Sequence, residues 1–211
     1  MRSLPLLVAW ALGPALLATA CGGGAPPQTQ PPPQRYPHTE ADIRFMSDMI
    51  GHHTQALVMA EWAPSHGASP TVRTLAERIA SGQHDEIALM QQWLRDRQQP
   101  VDQPSSPGPG SSTDTASHSA GQGHQHGEDM RMPGMLSQAQ LDELNRARGR
   151  EFDRLFLRYM TRHHQGALQM VQQLQAKGGG AEPELSAFTR HVEADQGIEI
   201  ARMQDLLAEL R

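Results

Sequence analysis

The chain has one cysteine, Cys21, and one lysine, Lys177. A lone thiol can form no intramolecular disulfide and leaves a folded domain no thiolate for a metal. Any soft ligand must then be methionine. With arginines scattered rather than striped, there is no basic surface for nucleic acid. The net charge is −5, or −6 once Arg2 leaves with the leader described below. No phosphate-cradling loop and no nucleophile beside a general base can be found, so an enzyme ranks last among the readings. No strand pattern is long enough to compete with the helical ones. What is plentiful is methionine and histidine, eleven of each.

The first residues precede the fold. Arg2, the apolar Leu4 to Leu17 and the small-residue run Ala18-Thr19-Ala20-Cys21 predict a lipoprotein signal over 1–21, too short for a comfortable membrane span and ending at a lipidated Cys21. Ala18 stands where a lipobox more often has leucine. An ordinary secretory signal cleaved near Ala20 is the alternative, and either one exports the chain. The expected location is the cell envelope, periplasmic or on the outer face of the cell membrane, with the lipid anchor as the membrane contact. Residues 22–38 are Gly- and Pro-rich, an extended tether.

The spacing predicts a first helical hairpin over 39–98. Thr39 caps a helix from Glu40 to about Trp62, and Ser69-Pro70 opens a second one to about Arg97, proline suiting the first helical position. Residues 99–136 are a Pro-, Gly-, Ser-, His- and Met-rich linker. A second hairpin is expected over 137–211: Ser137 to Gln140 is a capping box, and Gly149 weakens or bends the helix before Glu151 to Gln175. Gly178 to Gly180 ends that helix, and a last one runs from about Pro183 to Leu210, four main helices in all.

The halves repeat. Aligning Asp42–Ala60 with Asp153–Val171 gives eight identities in nineteen, where chance gives about one. "QHDEIALMQQWL" from Gln83 and "QGIEIARMQDLL" from Gln196 share Gln, Glu, Ile, Ala, Met, Gln and Leu. Each hairpin alone would expose an apolar stripe. The economical fold is therefore all-α, a four-helix bundle of two repeated hairpins with the long linker as crossover. Hairpins of two chains could pair instead, so a homo-oligomer stays open.

Helical periodicity puts Asp42, Met49, His53, Ala56 and Ala60 on a core-facing stripe, with His52 and Met59 on its flank. Asp153, Met160, His164, Ala167 and Val171 repeat the stripe, and His163 with Met170 repeat the flank. Facing them, Gln83, Glu86 and Met90, and in the second half Gln196, Glu199 and Met203, put polar groups where a plain bundle would have Leu or Val. Buried polar groups must be paired. One account pairs His53 with Glu86 and uses methionine as core filler. The other turns imidazole and thioether donors onto a soft metal ion, the Gln and Glu side chains orienting the rings. Histidine with methionine and no cysteine favours Cu(I) over zinc. Glu-x-x-His is absent from every helix, which disfavours di-iron chemistry.

The doubled Asp-x-x-Phe-[Met/Leu]-x-x-Met-x-x-His-His-x-x-Ala-Leu-x-Met, followed by Gln-x-x-Glu-Ile-x-x-Met, resembles the ferritin-like domain-of-unknown-function family of exported bacterial proteins, some of whose members bind copper. The resemblance covers nearly all of Thr39 to Arg211 outside the linker. It implies a four-helix fold and a part in extracytoplasmic copper or silver handling, with Met49, His52, His53, Met160, His163 and His164 as the motif residues. With Thr161 for Ile50 and Gly197 for His84, the two sites need not be equal in affinity. In the linker, His118, His124, His126, Met130, Met132 and Met135 are accessory donors that could gather copper, or parts of a solvated spacer. The expectation is a non-enzymatic, exported Cu(I) or Ag(I) protein of metal homeostasis or resistance, its binding weakening below about pH 6.5 as imidazole protonates. The alternative is a metal-free helical interaction module of the cell envelope.

Overall fold

The computed structural model describes residues 37–101 and 132–210, all within the compact unit Arg35–Arg211. Among the described residues five helices form: α1 Glu40–Glu61, α2 Pro70–Asp96, α3 Gln138–Arg146, α4 Gly149–Ala176 and α5 Pro183–Glu209. Among the described residues there is no strand, and no helix is long and apolar enough to cross a membrane.

Local chemistry sets the helix ends. Thr39 Oγ1 accepts the Asp42 N–H while the Asp42 carboxylate accepts the Thr39 N–H, satisfying two donors that an uncapped terminus would leave free. Ser69 caps α2 with Pro70 at the first position, and Ser137 with Gln140 forms a reciprocal box on α3. One expectation needs correction. Gly149 does not bend a continuous helix; Ala147 and Arg148 are extended, and Gly149 takes φ +56° and donates its N–H to the His66 carbonyl at 2.8 Å. Two extended residues and a left-handed glycine cannot carry helical hydrogen bonding, so α3 and α4 are separate helices.

α1 packs along α2, α4 along α5, and the pairs meet where α1 lies against α4. The repeated aspartates hold this meeting together. Asp42, at the start of α1, accepts the Gly180 N–H from the turn after α4 at 2.7 Å. Asp153, near the start of α4, accepts the Ser69 N–H from the turn after α1 at 3.1 and 3.2 Å. Each half thus ties down the other's turn, and α1 and α4 run antiparallel. Both carboxylates are buried. Glycine is required beside Asp42: a Cβ at Gly179 would lie 2.7 Å from its Oδ1 and 2.4 Å from Leu174 Cδ1.

Removing either clamp takes a buried carboxylate from N–H donors at half-buried turn positions, Gly180 and Ser69. Asp42→Ala and Asp153→Ala should each lower stability by about 2–3 kcal/mol, the scale for a buried hydrogen bond to a charged group. Asp42→Ala should cost more because it also frees the Thr39 N–H. Urea unfolding at neutral pH measures both losses, and losses near zero would show the clamps to be incidental.

Candidate metal centre

The four motif histidines lie where α1 crosses α4. His52, His53, His163 and His164 are 0, 0, 1 and 0 % exposed. His52 and His163, placed on the flank by periodicity, are as buried as the stripe because the flank of each helix faces the other pair. Their rings pack against each other with centroids 3.8 Å apart, tilted by 34°. His53 and His164 turn toward the partner helices, Nε2 of His53 lying 2.8 Å from Glu86 Oε2 and Nε2 of His164 2.7 Å from Glu199 Oε2. His52 Nε2 is 3.0 Å from the Pro133 carbonyl oxygen.

Much of the polar capacity here is unused. The Nδ1 atoms of His52, His53 and His164 and both ring nitrogens of His163 have no partner, nor do Gln83 Oε1 and either amide atom of Gln196. Gln83 and Gln196 are themselves buried. Buried nitrogen and oxygen without a partner is rare in folded proteins and calls for a reason.

The methionines divide into two packed groups across the halves. Met49, Met90 and Met170 belong to one apolar cluster, and Met59, Met160 and Met203 to the other. Each group draws on both repeats, as an antiparallel α1 and α4 demand. Among the described residues no three His, Cys, Asp or Glu side chains form a group that could hold a metal ion. Coordination here would need thioether sulfur beside imidazole.

Burial pushes His52 and His53 down to about 3, the neighbouring imidazoles adding to the effect, and His163 falls well below its ordinary value for the same reasons. Burial raises Glu86 to about 7. His52, His53 and His163 therefore stay neutral in the folded protein far below pH 6.5, and the acid limit expected from free imidazole does not apply to those three rings.

Of the linker donors, Met132 and Met135 are half-buried on a strap over α1 and α4. His118, His124, His126 and Met130, like Cys21, lie outside the described residues. A surface cavity of about 300 Å³ beside the strap is lined by Met132, Pro133, Met170 and Asp48, among others. Sequence reasoning missed the Pro133 carbonyl, which no side-chain pattern announces. It also missed the clamping role of Asp42 and Asp153, whose signal was their identity at the head of both repeats.

Residues 42–207 match the family described as Domain of unknown function (DUF305), and the chain belongs to that family. A DUF305 fragment from Deinococcus radiodurans is 31% identical with a TM-score of 0.64, the match covering 82% of this chain and 99% of that one. A DUF305 protein from Streptomyces coelicolor, inferred to be secreted, is 28% identical with a TM-score of 0.63 over 81% of this chain and 93% of that one. CopM in its Cu(II)-bound form is 28% identical with a TM-score of 0.59, covering 81% and 97%, and similar matches include its Cu(I)-bound and Ag-bound forms. No curated protein matches the chain.

The buried rings predict an acid-sensitive fold. From pH 6.5 down to 4.5, unfolding lets His52, His53 and His163 take up protons that the fold denies them, so each loses stability as pH falls. Glu86 acts oppositely: raised from 4.5 to about 7, it favours the fold at low pH and loses that contribution as pH rises through 7. The net uptake on unfolding is about two protons, an upper limit of roughly 2–3 kcal/mol lost per pH unit. Thermal unfolding of the metal-free protein should fall steeply from pH 6.5 to 4.5; a flat profile would mean that the rings are not held neutral.

Proposed function

We propose that this chain is an exported, membrane-anchored protein that takes up Cu(I) or Ag(I) as cargo outside the cytoplasm, and that it is not an enzyme. The observation that carries this reading is the set of five buried, unpartnered imidazole nitrogens on His52, His53, His163 and His164, placed between two methionine clusters. Thioether is a soft donor and neutral imidazole a borderline one, a set that suits a monovalent coinage metal, and binding one would satisfy atoms that otherwise cost stability. The likeness to CopM, solved with Cu(I), Cu(II) and Ag, supports it.

In this reading the fold is a ferritin-like bundle of two hairpins with 99–136 as crossover. Met49, His52, His53 and Met170 serve one half-site, and Met160, His163, His164 and Met59 the other. Glu86 and Glu199 orient His53 and His164 through their Nε2 atoms, as outer partners of ligating histidines do. Gln83, Met90, Gln196 and Met203 complete the surroundings. Cys21 anchors the chain by lipid, and the linker histidines and Met130 gather ions on the way in.

A ligand that binds only the folded state raises apparent stability, by about 2.7 kcal/mol at a hundredfold excess over Kd. Ag(I), or Cu(I) under reducing conditions, should raise the melting temperature of the mature chain, and competition with a Cu(I)-chelating probe should give the affinity. A variant with alanine for His52, His53, His163 and His164, checked for helicity, should lose that affinity. Equal affinity in both proteins, or no thermal shift in the wild type, would leave the envelope interaction module as the better account.

A further inference from the structure

We propose that the strap Met132–Leu136 is a positioning element for the metal centre: the Pro133 carbonyl fixes His52 in the tautomer whose free donor is Nδ1, and Gly166 is the residue that allows it. The inference rests on the metal-binding reading and specifies which ring nitrogen His52 offers.

A carbonyl oxygen can only accept a hydrogen bond. At 3.0 Å from Pro133 O, His52 Nε2 must therefore carry the hydrogen, and a neutral ring then has its lone pair on Nδ1. That Nδ1 is buried with no partner. The strap thus spends one nitrogen and leaves the other ready to ligate, the role that a backbone carbonyl plays behind many metal-bound histidines.

The strap is held from both helices, and the repeat shows how. Gln55 on α1 grips it twice, accepting the Leu136 N–H at 2.8 Å and donating to the Leu136 carbonyl at 3.2 Å. Arg162 on α4 donates to the Met135 carbonyl at 3.2 Å. In the repeat alignment Gln55 corresponds to Gly166, and Arg162 to Gly51. Each grip in one half is matched by a glycine gap in the other. A Cβ at Gly166 would lie 2.1 Å from Pro133 O, an impossible approach, and one at Gly51 would lie 3.6 Å from Met132 Cε. Gly134, at φ +77°, passes so close to α4 that a Cβ there would lie 2.7 Å from the Arg162 carbonyl oxygen and 2.9 Å from that of His163. The strap accordingly breaks the equivalence of the halves, giving His52 a partner that its counterpart His163 lacks.

Long-range nitrogen–proton NMR on the metal-free mature chain reads the tautomer, and Ag(I) competition reads affinity. Wild type should show His52 protonated at Nε2. Gly166→Ala should displace Pro133, mix the His52 tautomers and weaken Ag(I) binding roughly tenfold or more, the usual scale for losing an outer partner of a ligating histidine. If that variant does not fold, Gln55→Ala, at a half-buried position, releases the strap by removing its two hydrogen bonds and should move both readings the same way. His52 protonated at Nδ1 in wild type, or unchanged Ag(I) affinity in a folded variant whose tautomer has shifted, overturns the inference alone. A wild type that binds no Ag(I) overturns the metal reading and this inference with it.

Discussion

Four imidazoles buried at the crossing of two helices, with burial holding His52, His53 and His163 neutral, set the terms for the rest of this fold. A neutral imidazole has one hydrogen to give and one lone pair to fill, and burial removes the water that would otherwise meet both needs. The protein partners three of the eight ring nitrogens. Glu86 and Glu199 face His53 and His164, and the Pro133 carbonyl faces His52, while five ring nitrogens remain without partners. Such a deficit in a core otherwise filled by methionine, leucine and phenylalanine is hard to reconcile with a purely structural role, because Leu or Val at those positions would pack without the penalty. The glutamates alone would suit a metal-free histidine core. The unpartnered Nδ1 atoms and the empty-handed Gln196 do not.

Pseudo-twofold repetition explains how so expensive a core can be assembled. Asp42 and Asp153 each fasten the other half's turn, which fixes the antiparallel approach of α1 and α4 and brings His52 against His163. The same approach places Met170 in the cluster of Met49 and Met90, and Met59 in that of Met160 and Met203. Neither thioether group belongs to a single repeat. A half on its own would therefore keep the pairing of His53 with Glu86 but would lack both the contact of His52 with His163 and the mixed methionine clusters.

How much of this could be read beforehand depends on the range of the interaction. Caps at Thr39, Ser69 and Ser137 are chemistry over three residues, and the structure shows them at those residues. The pairing of His53 with Glu86 follows from helical period plus a short turn, and it too was foreseeable. The burial of His52 and His163 was not, because a helical wheel reports one apolar stripe while these helices bury two faces, one against the hairpin partner and one against the other half. The strap escaped for a different reason. Its contacts are backbone carbonyls over glycines, and composition made Met132 to Leu136 look like the end of a solvated linker. Only the mismatch of repeat partners, Gln55 against Gly166 and Gly51 against Arg162, carries a trace of it in the sequence.

That mismatch bears on what the two halves can do. Exact repetition would give two equal half-sites, each with its histidine free at both nitrogens. The strap can lie across the pseudo-twofold in only one direction, so one histidine is oriented in advance while the other keeps its choice of donor atom. Preorganisation favours tight holding, since no rotation or tautomer change is needed on binding. An unassigned ring favours exchange, because it can change donor atom as an ion arrives or leaves. For the monovalent cargo proposed above, one ring would serve retention and the other release, and the difference between them comes down to a single backbone carbonyl seated over a glycine.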